Sequence, residues 1–473
     1  MNEEAFLIEN GVLLDFDGPQ PRVIVPAGVT GIGEKAFSSF RTFRSRRLPG
    51  GAMRSGLAPE FWTRESVRAV ELPEGLTEIG SRSFSDNACL TEIRLPESLR
   101  TIGRNAFTGC EALTELALPD GLTEIGAGAF SDCRALTKIV LPEGLSAIAD
   151  YTFSHCAALT ELEIPAGVTE IGTNAFAHCE KLTSIRIPDG VTAIAPYAFA
   201  HCEALTQIEL PDSLTEIGEC AFVGCTALRS VRLPEGIRKL GDRAFGACTV
   251  LTEINFPASL EEIGFCTFMG CICLRSASIS RNLCALGGGA FSGCLMLQKV
   301  EVDPENTCCS FHDHAFFSRD ESVLVSYAGS LSGTCRVPDG VTAIAPYAFG
   351  LCSTVKQVVL PDSLREIQED AFYGCRNLRE LMLPDGVRRI GDSAFSDCHS
   401  LPSIILPEGL TEIGFSTFAN CTSLAWVITP STLRLIDEDA FANCPCLTSM
   451  SVPAGCEFGD NAIPYSCQVY CGG

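Results

Sequence analysis

The stretch Leu90–Leu113 reads LTEIRLPESLRTIGRNAFTGCEAL, and a shift of 23 residues returns nearly the same sequence at Leu113–Leu136 and again at Leu136–Leu159. The shared frame is Leu-x-x-Ile-x-Leu-Pro-Asp/Glu-Gly-Leu/Val-Thr-x-Ile-Gly-x-x-Ala-Phe-x-x-Cys. Its Phe returns at this spacing from Phe84 to Phe291, and again from Phe349 to Phe441. A fixed period in this range marks a solenoid, in which one supersecondary unit buries its apolar face only against copies of itself. The 473-residue chain is therefore expected to form stacked turns rather than several globular domains.

Within one turn, Leu-x-x-Ile-x-Leu alternates apolar and polar residues, which predicts a half-buried strand ended by the following Pro. Leu99 and Ile102 mark a second, shorter extended piece, and Ala-Phe-x-x-Cys turns the chain back. Gly103 and Gly126 follow the Ile of that piece. Ala149, Ala195, Ala345 and Gln368 also occupy this position, so it does not demand a positive φ. The 26 cysteines are largely one repeat position, three residues after each Phe, as at Cys110, Cys133 and Cys156. Stacked strands lie about 4.8 Å apart, whereas a disulfide wants Cβ atoms about 3.8 Å apart and turned together, so the ladder is expected to be reduced.

Composition narrows the function classes. Apolar residues make up 46% of the chain and no run is long enough to cross a membrane, so no membrane insertion is expected. The net charge of −24 disfavours nucleic acid and anionic membrane surfaces, both of which call for clustered Lys and Arg. The first residues, Met1-Asn2-Glu3-Glu4, lack the basic and apolar regions of a secretory signal, which points to the cytoplasm for the chain as it stands. A leader removed before that point would instead place it at the cell surface or outside the cell.

The organisation reads as follows. Residues 1–25 form an N-terminal cap hairpin, with Val12–Phe16 and Val23–Val25 flanking a Gly18-Pro19 turn. A first array covers 26–302. Phe37 and Phe61 keep its frame, but Arg41, Arg44, Arg46, Arg47, Arg54, Arg64 and Arg68 make one basic patch there, read as a drifted repeat. Residues 303–337 break the period. Phe317-Ser-Arg-Asp-Glu-Ser-Val-Leu-Val-Ser-Tyr-Ala-Gly329 repeats the opening Phe6–Gly18, so a cap-like hairpin stands inside the chain. A second array spans 338–455 and a C-terminal cap 456–473, where Ala462-Ile463 replaces Ala-Phe.

The frame resembles that of the BspA-type leucine-rich repeats over nearly the whole chain, in about 18 units counted by their Phe. The resemblance implies a β-rich, right-handed leucine-rich repeat solenoid with a parallel sheet on one face and short 3₁₀ or irregular segments on the other. It also implies a bacterial protein that binds other proteins, in some relatives as a surface or secreted adhesin for host matrix proteins.

Solvent-facing residues of the sheet fall at the second and fourth places after the strand-opening Leu. In the first array these are polar and mixed, such as Glu92 and Arg94 or Glu161 and Glu163. In the second array the fourth column turns apolar, at Val359, Met382, Ile405 and Ile428, with Trp426 beside it. A contiguous apolar row facing solvent is the predicted partner-binding surface, and it also permits self-association. Two clusters contain residue types that can bind a metal. His155, His178 and His201 recur beside ladder cysteines and read as repeat drift. Cys308, Cys309, His312 and His314 lack the usual zinc spacing, with adjacent cysteines poorly placed to chelate. No nucleophile elbow, metalloprotease helix or phosphate loop occurs, and Gly31-Ile-Gly33 and Gly287–Gly289 read as repeat residues plus chance. The expectation is a non-enzymatic scaffold without cofactor that binds a protein along its sheet face, with the adhesin role as the alternative.

Overall fold

The computed structural model describes residues 5–17, 20–38, 67–329 and 333–472. The chain is a parallel β-solenoid of about 19 turns. It divides into two compact units, Met1–Leu214 and Thr215–Gly473. Among the described residues there is no helix, so none is long and apolar enough to cross a membrane.

Each turn contributes two strands. In the first unit, Arg22–Ile24, Ala69–Glu71 and Glu92–Arg94 pair in parallel, and Glu115–Ala117 pairs with Lys138–Val140. Alternate residues are buried and exposed, as in the pattern of Glu92, Ile93 and Arg94. A second ladder runs through the short pieces Glu78–Ile79, Thr101–Ile102 and Glu124–Ile125. Each partner is the residue 23 positions away, as for Ile102 and Ile125.

In the corner between them, backbone donors alternate between the next turn and their own. Asn105 and Phe107 donate to Ala127 and Ala129 of the next turn, at 2.9 and 2.8 Å. Ala106 and Cys110 donate within the turn, to Gly103 and Phe107. This alternation requires two residues per corner in the left-handed region, two before and two after the Phe. Asn105 has φ of 54° and Asp132 of 57°. Those left-handed residues interrupt the helical turn that a 3₁₀ segment would need, so of the two expected forms, short 3₁₀ or irregular, the corners take the irregular one as hydrogen-bonded turns. Gly103 is not one of these positions; a Cβ there would lie 2.6 Å from the nitrogen of Ser81, so the glycine serves close backbone approach.

The core is a column of phenylalanines. Phe84 and Phe107 stack with centroids 5.2 Å apart, and Phe395 and Phe418 at 5.3 Å. Beneath them lies the thiol ladder. The Cys133 sulfur donates to the carbonyl of Phe107 at 3.2 Å, and the Cys421 sulfur to that of Phe395. Asn87 takes the cysteine position in its turn and donates to Phe37 in the same way, at 2.8 Å.

Three expectations are corrected. The antiparallel hairpin at the start is Phe6–Glu9 with Val12–Phe16, joined by Asn10 and Gly11, both of positive φ. That is the backbone a two-residue hairpin turn demands. Arg22–Ile24 is not its second arm but a parallel strand of the solenoid sheet. Gly18 and Pro19 lie outside the described residues.

Secondly, Phe37 stacks directly on Phe84, 4.8 Å away, and Gly31–Ile32 pairs with Glu78–Ile79. The turn of Phe37 therefore adjoins that of Phe84 directly; Phe61 lies outside the described residues, as do Arg41, Arg44, Arg46, Arg47, Arg54 and Arg64. Thirdly, the internal hairpin has its first strand two residues earlier than the sequence match implies. Ala315, not Phe317, pairs with Tyr327 as Phe6 pairs with Phe16, because residues 319–322 make a longer loop than Asn10-Gly11. Val323–Tyr327 then enters the ladder beside Ala343–Ile344 just as Val12–Phe16 lies beside Gly31–Ile32.

The internal hairpin also receives the preceding turn. Phe291 stacks on Phe316 at 4.8 Å, and Gly289 donates to Val325 at 2.9 Å. The nitrogen of Phe291 meets the Ser326 hydroxyl at 3.0 Å, and Ser292 donates to Ala348 at 2.8 Å. Gly288 and Gly289 are not chance. A Cβ on either would come within 2.5 Å of Pro346 or Tyr347, so this join requires glycine.

Burial pushes the ladder thiols up, to about 12 for Cys133 and Cys179. Folded chain therefore holds protons that unfolded chain, with thiols near their ordinary value of about 8.5, releases as pH rises. The stabilisation is complete below that value and is lost progressively toward pH 12. Urea denaturation is expected to show stability falling steeply above about pH 9, and less steeply after Cys133→Ala and Cys179→Ala. Equal slopes in wild type and variant would contradict this account.

Candidate interaction surface

The sheet face of the second unit carries the apolar row. Val355–Val359 pairs with Glu380–Met382, setting Val359 beside Met382. Ser403–Ile405 pairs with Trp426–Ile428, setting Ile405 beside Ile428 and Ser403 beside Trp426. Met382 is 83% exposed, Trp426 69%, Ile405 59% and Ile428 57%. Nothing in the fold needs these side chains, since Leu381, Ile404 and Val427 fill the inward positions of the same strands.

Val359 departs from the expected pattern. It is half-buried, because Arg336 and Met382 flank it in register with longer side chains that shade a short β-branched one. At the other end the same column passes through Ser451 to one more large side chain. Ile428 pairs with Ser451 and Ser451 with Tyr470, and Tyr470 is more than half exposed. Sequence spacing hid this residue, because the last turn is shortened and Tyr470 falls out of the repeat frame. Its only signal is the apolar-polar alternation of Gln468–Cys471. In the first unit Val140 is equally exposed, but its column neighbours are Ala117 and Glu163, so it stands alone.

The histidines form a stack. The rings of His155 and His178 lie 4.4 Å apart and those of His178 and His201 4.7 Å apart, nearly parallel. All three occupy the left-handed corner position two residues past the Phe, with φ near 60°. Other turns place Asp86, Gly109 and Asp132 there, and Asp, Asn, His and Gly are enriched in this backbone region, although Ala247 and Leu351 also occupy the position. The column is thus explained by the corner. Parallel rings carry parallel lone pairs, which cannot converge on one ion.

The other four candidates are likewise not assembled into a site. Cys309 and His312 lie three apart on the strand Cys309–His312 and so face opposite sides. The His312 ring stacks on Phe317 at 4.4 Å, and its nitrogens face Asp313 and Glu321 at 3.2 and 3.4 Å. His314 sits in the turn and packs beside Gly329. Among the described residues, no three His, Cys, Asp or Glu side chains gather where they could hold a metal.

The sequence profile of the BspA type leucine rich repeat region (6 copies) matches residues 20–98, 77–206, 192–321 and 335–469. Among solved structures, a leucine-rich repeat protein from Bacteroides ovatus is 31% identical, over 79% of this chain and 88% of that one, with a TM-score of 0.45. A leucine-rich repeat protein from Eubacterium ventriosum is 23% identical over 61% and 83%, with a TM-score of 0.50. A leucine rich cell surface protein from Faecalibacterium prausnitzii is 22% identical over 98% and 93%, with a TM-score of 0.39. No curated protein matches the chain.

Burial lowers the pKa of His178, and its neighbours His155 and His201 lower it further, against Glu180 and Glu203. The depressed value means that stability is held above the ordinary histidine range and lost as pH falls through the folded pKa. NMR titration is expected to place His178 below 6.5 and to raise it in His155→Asn, which keeps a residue suited to the left-handed corner. A value that does not move would show that the stacked ring contributes nothing.

Proposed function

The chain belongs to the BspA-type leucine-rich repeat family, and from that premise we propose that it is a non-enzymatic scaffold that holds a protein partner on its sheet face. The contacts are Met382, Ile405, Trp426 and Ile428, with Val359 at one end of the row and Tyr470 at the other. The observation that carries this reading is the exposure of four large apolar side chains on adjoining turns of one unit. Turns bring such residues within about 5 Å of one another, which makes a continuous strip rather than scattered apolar residues. Trp and Met are common in the desolvated centre of protein interfaces. Its repeated columns supply copies of each side chain along a line, whereas a catalytic pocket needs different groups converging on one point.

The ladder thiols must stay protonated and unpaired to donate to their phenylalanine carbonyls. A compartment that keeps thiols reduced therefore suits the chain, and this supports a cytoplasmic setting over an extracellular one.

The test is a capture experiment from the native cell extract with wild type and with Trp426→Ala/Met382→Asp. Both positions are exposed, so the variant's melting curve should match wild type within the range of ordinary surface substitutions, about 0.5 kcal/mol. A partner bound through this strip should lose affinity by at least about 30-fold, the effect of removing an interface hot spot worth about 2 kcal/mol. Equal capture by both would remove the strip from the binding site.

A further inference from the structure

We propose that the outer edge of the first strand, Phe6–Glu9, is a pairing site for a second copy of this chain. The two copies meet antiparallel across a two-fold axis at Leu7, so the ladder of one continues into that of the other. This site is separate from the apolar strip and does not depend on it.

The chain supplies its own precedent, because the opening and internal hairpins share one register. Phe6 pairs with Phe16 as Ala315 pairs with Tyr327, Leu7 with Asp15 as Phe316 with Ser326, and Ile8 with Leu13 as Phe317 with Leu324. The register shifts after Leu7 in one and after Phe316 in the other. Asp17 donates to Ala5 at 2.8 Å, and Ala328 to His314 at 2.7 Å. The outer edges differ. Ala315–Ser318 carries the antiparallel strand Cys309–His312 there, whereas Phe6–Glu9 is the end of its sheet among the described residues.

The added strand covers what the opening hairpin leaves bare. Phe316 and Phe317 are fully buried, and the rings of Phe311 and His312 lie 4.7 and 4.4 Å from them. Their counterparts Leu7 and Ile8 are 40% and 38% exposed. The main chain follows the same division. Asp313 and His314, both of positive φ, make a two-residue turn between the strands. Around such a turn His312 and Ala315 exchange both main-chain bonds, as do Ser310 and Phe317 two places on. By the shared register, Phe6 and Ile8 direct N–H and C=O outward, to an edge that no described strand occupies. An edge of this kind is a template for a strand of another chain.

The precedent also selects the occupant. Its strand runs antiparallel, and a two-fold axis makes an edge strand its own antiparallel partner. Of the registers that the bond alternation allows, the one pairing Phe6 with Ile8 of the other copy reproduces the internal cover. It sets Leu7 against Leu7 where Phe311 meets Phe316, and brings Ile8 toward Ile8 where His312 meets Phe317. Glu9 then faces Ala5, so the acid of the strand does not oppose its own copy. Glu34 and Lys35 can stay in water. Their internal counterparts, Pro346 and Tyr347, meet Gly288 and Gly289, while the added strand pairs elsewhere.

The test is sedimentation velocity on the full chain across a concentration series, with variants beside wild type. Wild type is expected to pass from monomer to dimer as concentration rises. Added salt should favour the dimer, because it screens two chains of net charge −24 from each other. Leu7→Lys sets like charges face to face on the axis and should raise the dissociation constant at least about tenfold. Its melting curve should match wild type, since the side chain is exposed. Leu7→Cys tests the register. Opposed residues of a non-hydrogen-bonded pair have Cα atoms about 4.5 Å apart, within disulfide reach. Mild oxidation should link the introduced thiols to each other, as read by peptide mapping, and Glu9→Cys should give no such self-link. Wild type that stays monomeric up to about 1 mM would overturn the proposal. So would a dimer that Leu7→Lys leaves intact. A dimer lost instead in Trp426→Ala/Met382→Asp would place self-association on the apolar strip and reject the edge. Introduced thiols of Leu7→Cys that link only to native cysteines would reject the register and the site with it.

Discussion

The carbonyl of each repeat phenylalanine holds the solenoid together at its tightest point. Phe107 accepts the N–H of Cys110 within its own turn and the thiol of Cys133 from the next. The first bond closes the corner and the second fixes how the following corner sits upon it. The ring of the same residue then stacks on its neighbours about 5 Å away, a distance set by the strand ladders on either side. A thiol fits here because it is small, apolar enough for full burial and still a weak donor. Asn87 shows that the donor matters, since it substitutes an amide and keeps the bond to Phe37. Side chain, corner and ladder thus impose one spacing.

The two hairpins show how the same module serves as an end or as a join. Val325, Ser326, Pro346 and Tyr347 face the turn of Phe291, and the equivalent positions at the start of the chain are Leu14, Asp15, Glu34 and Lys35. The join thus uses a small hydroxyl, a proline and an aromatic ring, against two matching glycines. The opening hairpin carries charges there, with Lys35 and Glu34 paired at 3.6 Å. Burying that pair against another turn would require removing both charges from water, a cost their mutual attraction rarely repays. The charges thus disfavour stacking on that face, whereas the internal hairpin carries none at the matching positions and is packed on both sides.

Much of this was legible because a repeat states each constraint many times over. The period, the Phe column, the reduced cysteines and the outward columns all follow from side-chain chemistry at fixed spacing. The corner was less legible. Its left-handed positions are filled by residues as different as Asn, Asp, His, Gly, Tyr, Arg, Ser, Cys, Ala and Leu, which share a backbone conformation rather than an evident side-chain pattern. The histidine column was therefore read as drift when it is one solution to that requirement. Register across irregular segments was not legible at all. Nothing local in the sequence says that Phe37 meets Phe84, that Ala315 rather than Phe317 pairs with Tyr327, or that Tyr470 continues the row of Ile428. Each depends on a loop length, which side-chain spacing does not report. In the strip, exposure of Met382 and Trp426 followed from alternation, but Val359 depended on the lengths of its neighbours.

The direct pairing of Gly31–Ile32 with Glu78–Ile79 has an evolutionary consequence. Gly31 and Glu78 stand about two periods apart in the sequence and still pair as adjacent rungs, so the chain length between adjoining rungs is not tied to one period. The closure entropy of a flexible loop rises only by about 0.6 kcal/mol for each doubling of its length. Duplication or recombination at such a boundary therefore meets a small thermodynamic barrier, whereas an insertion of one residue inside a turn would put every later strand out of phase. Lineages built on this frame should vary at the seams between turns and keep the turns themselves at constant length.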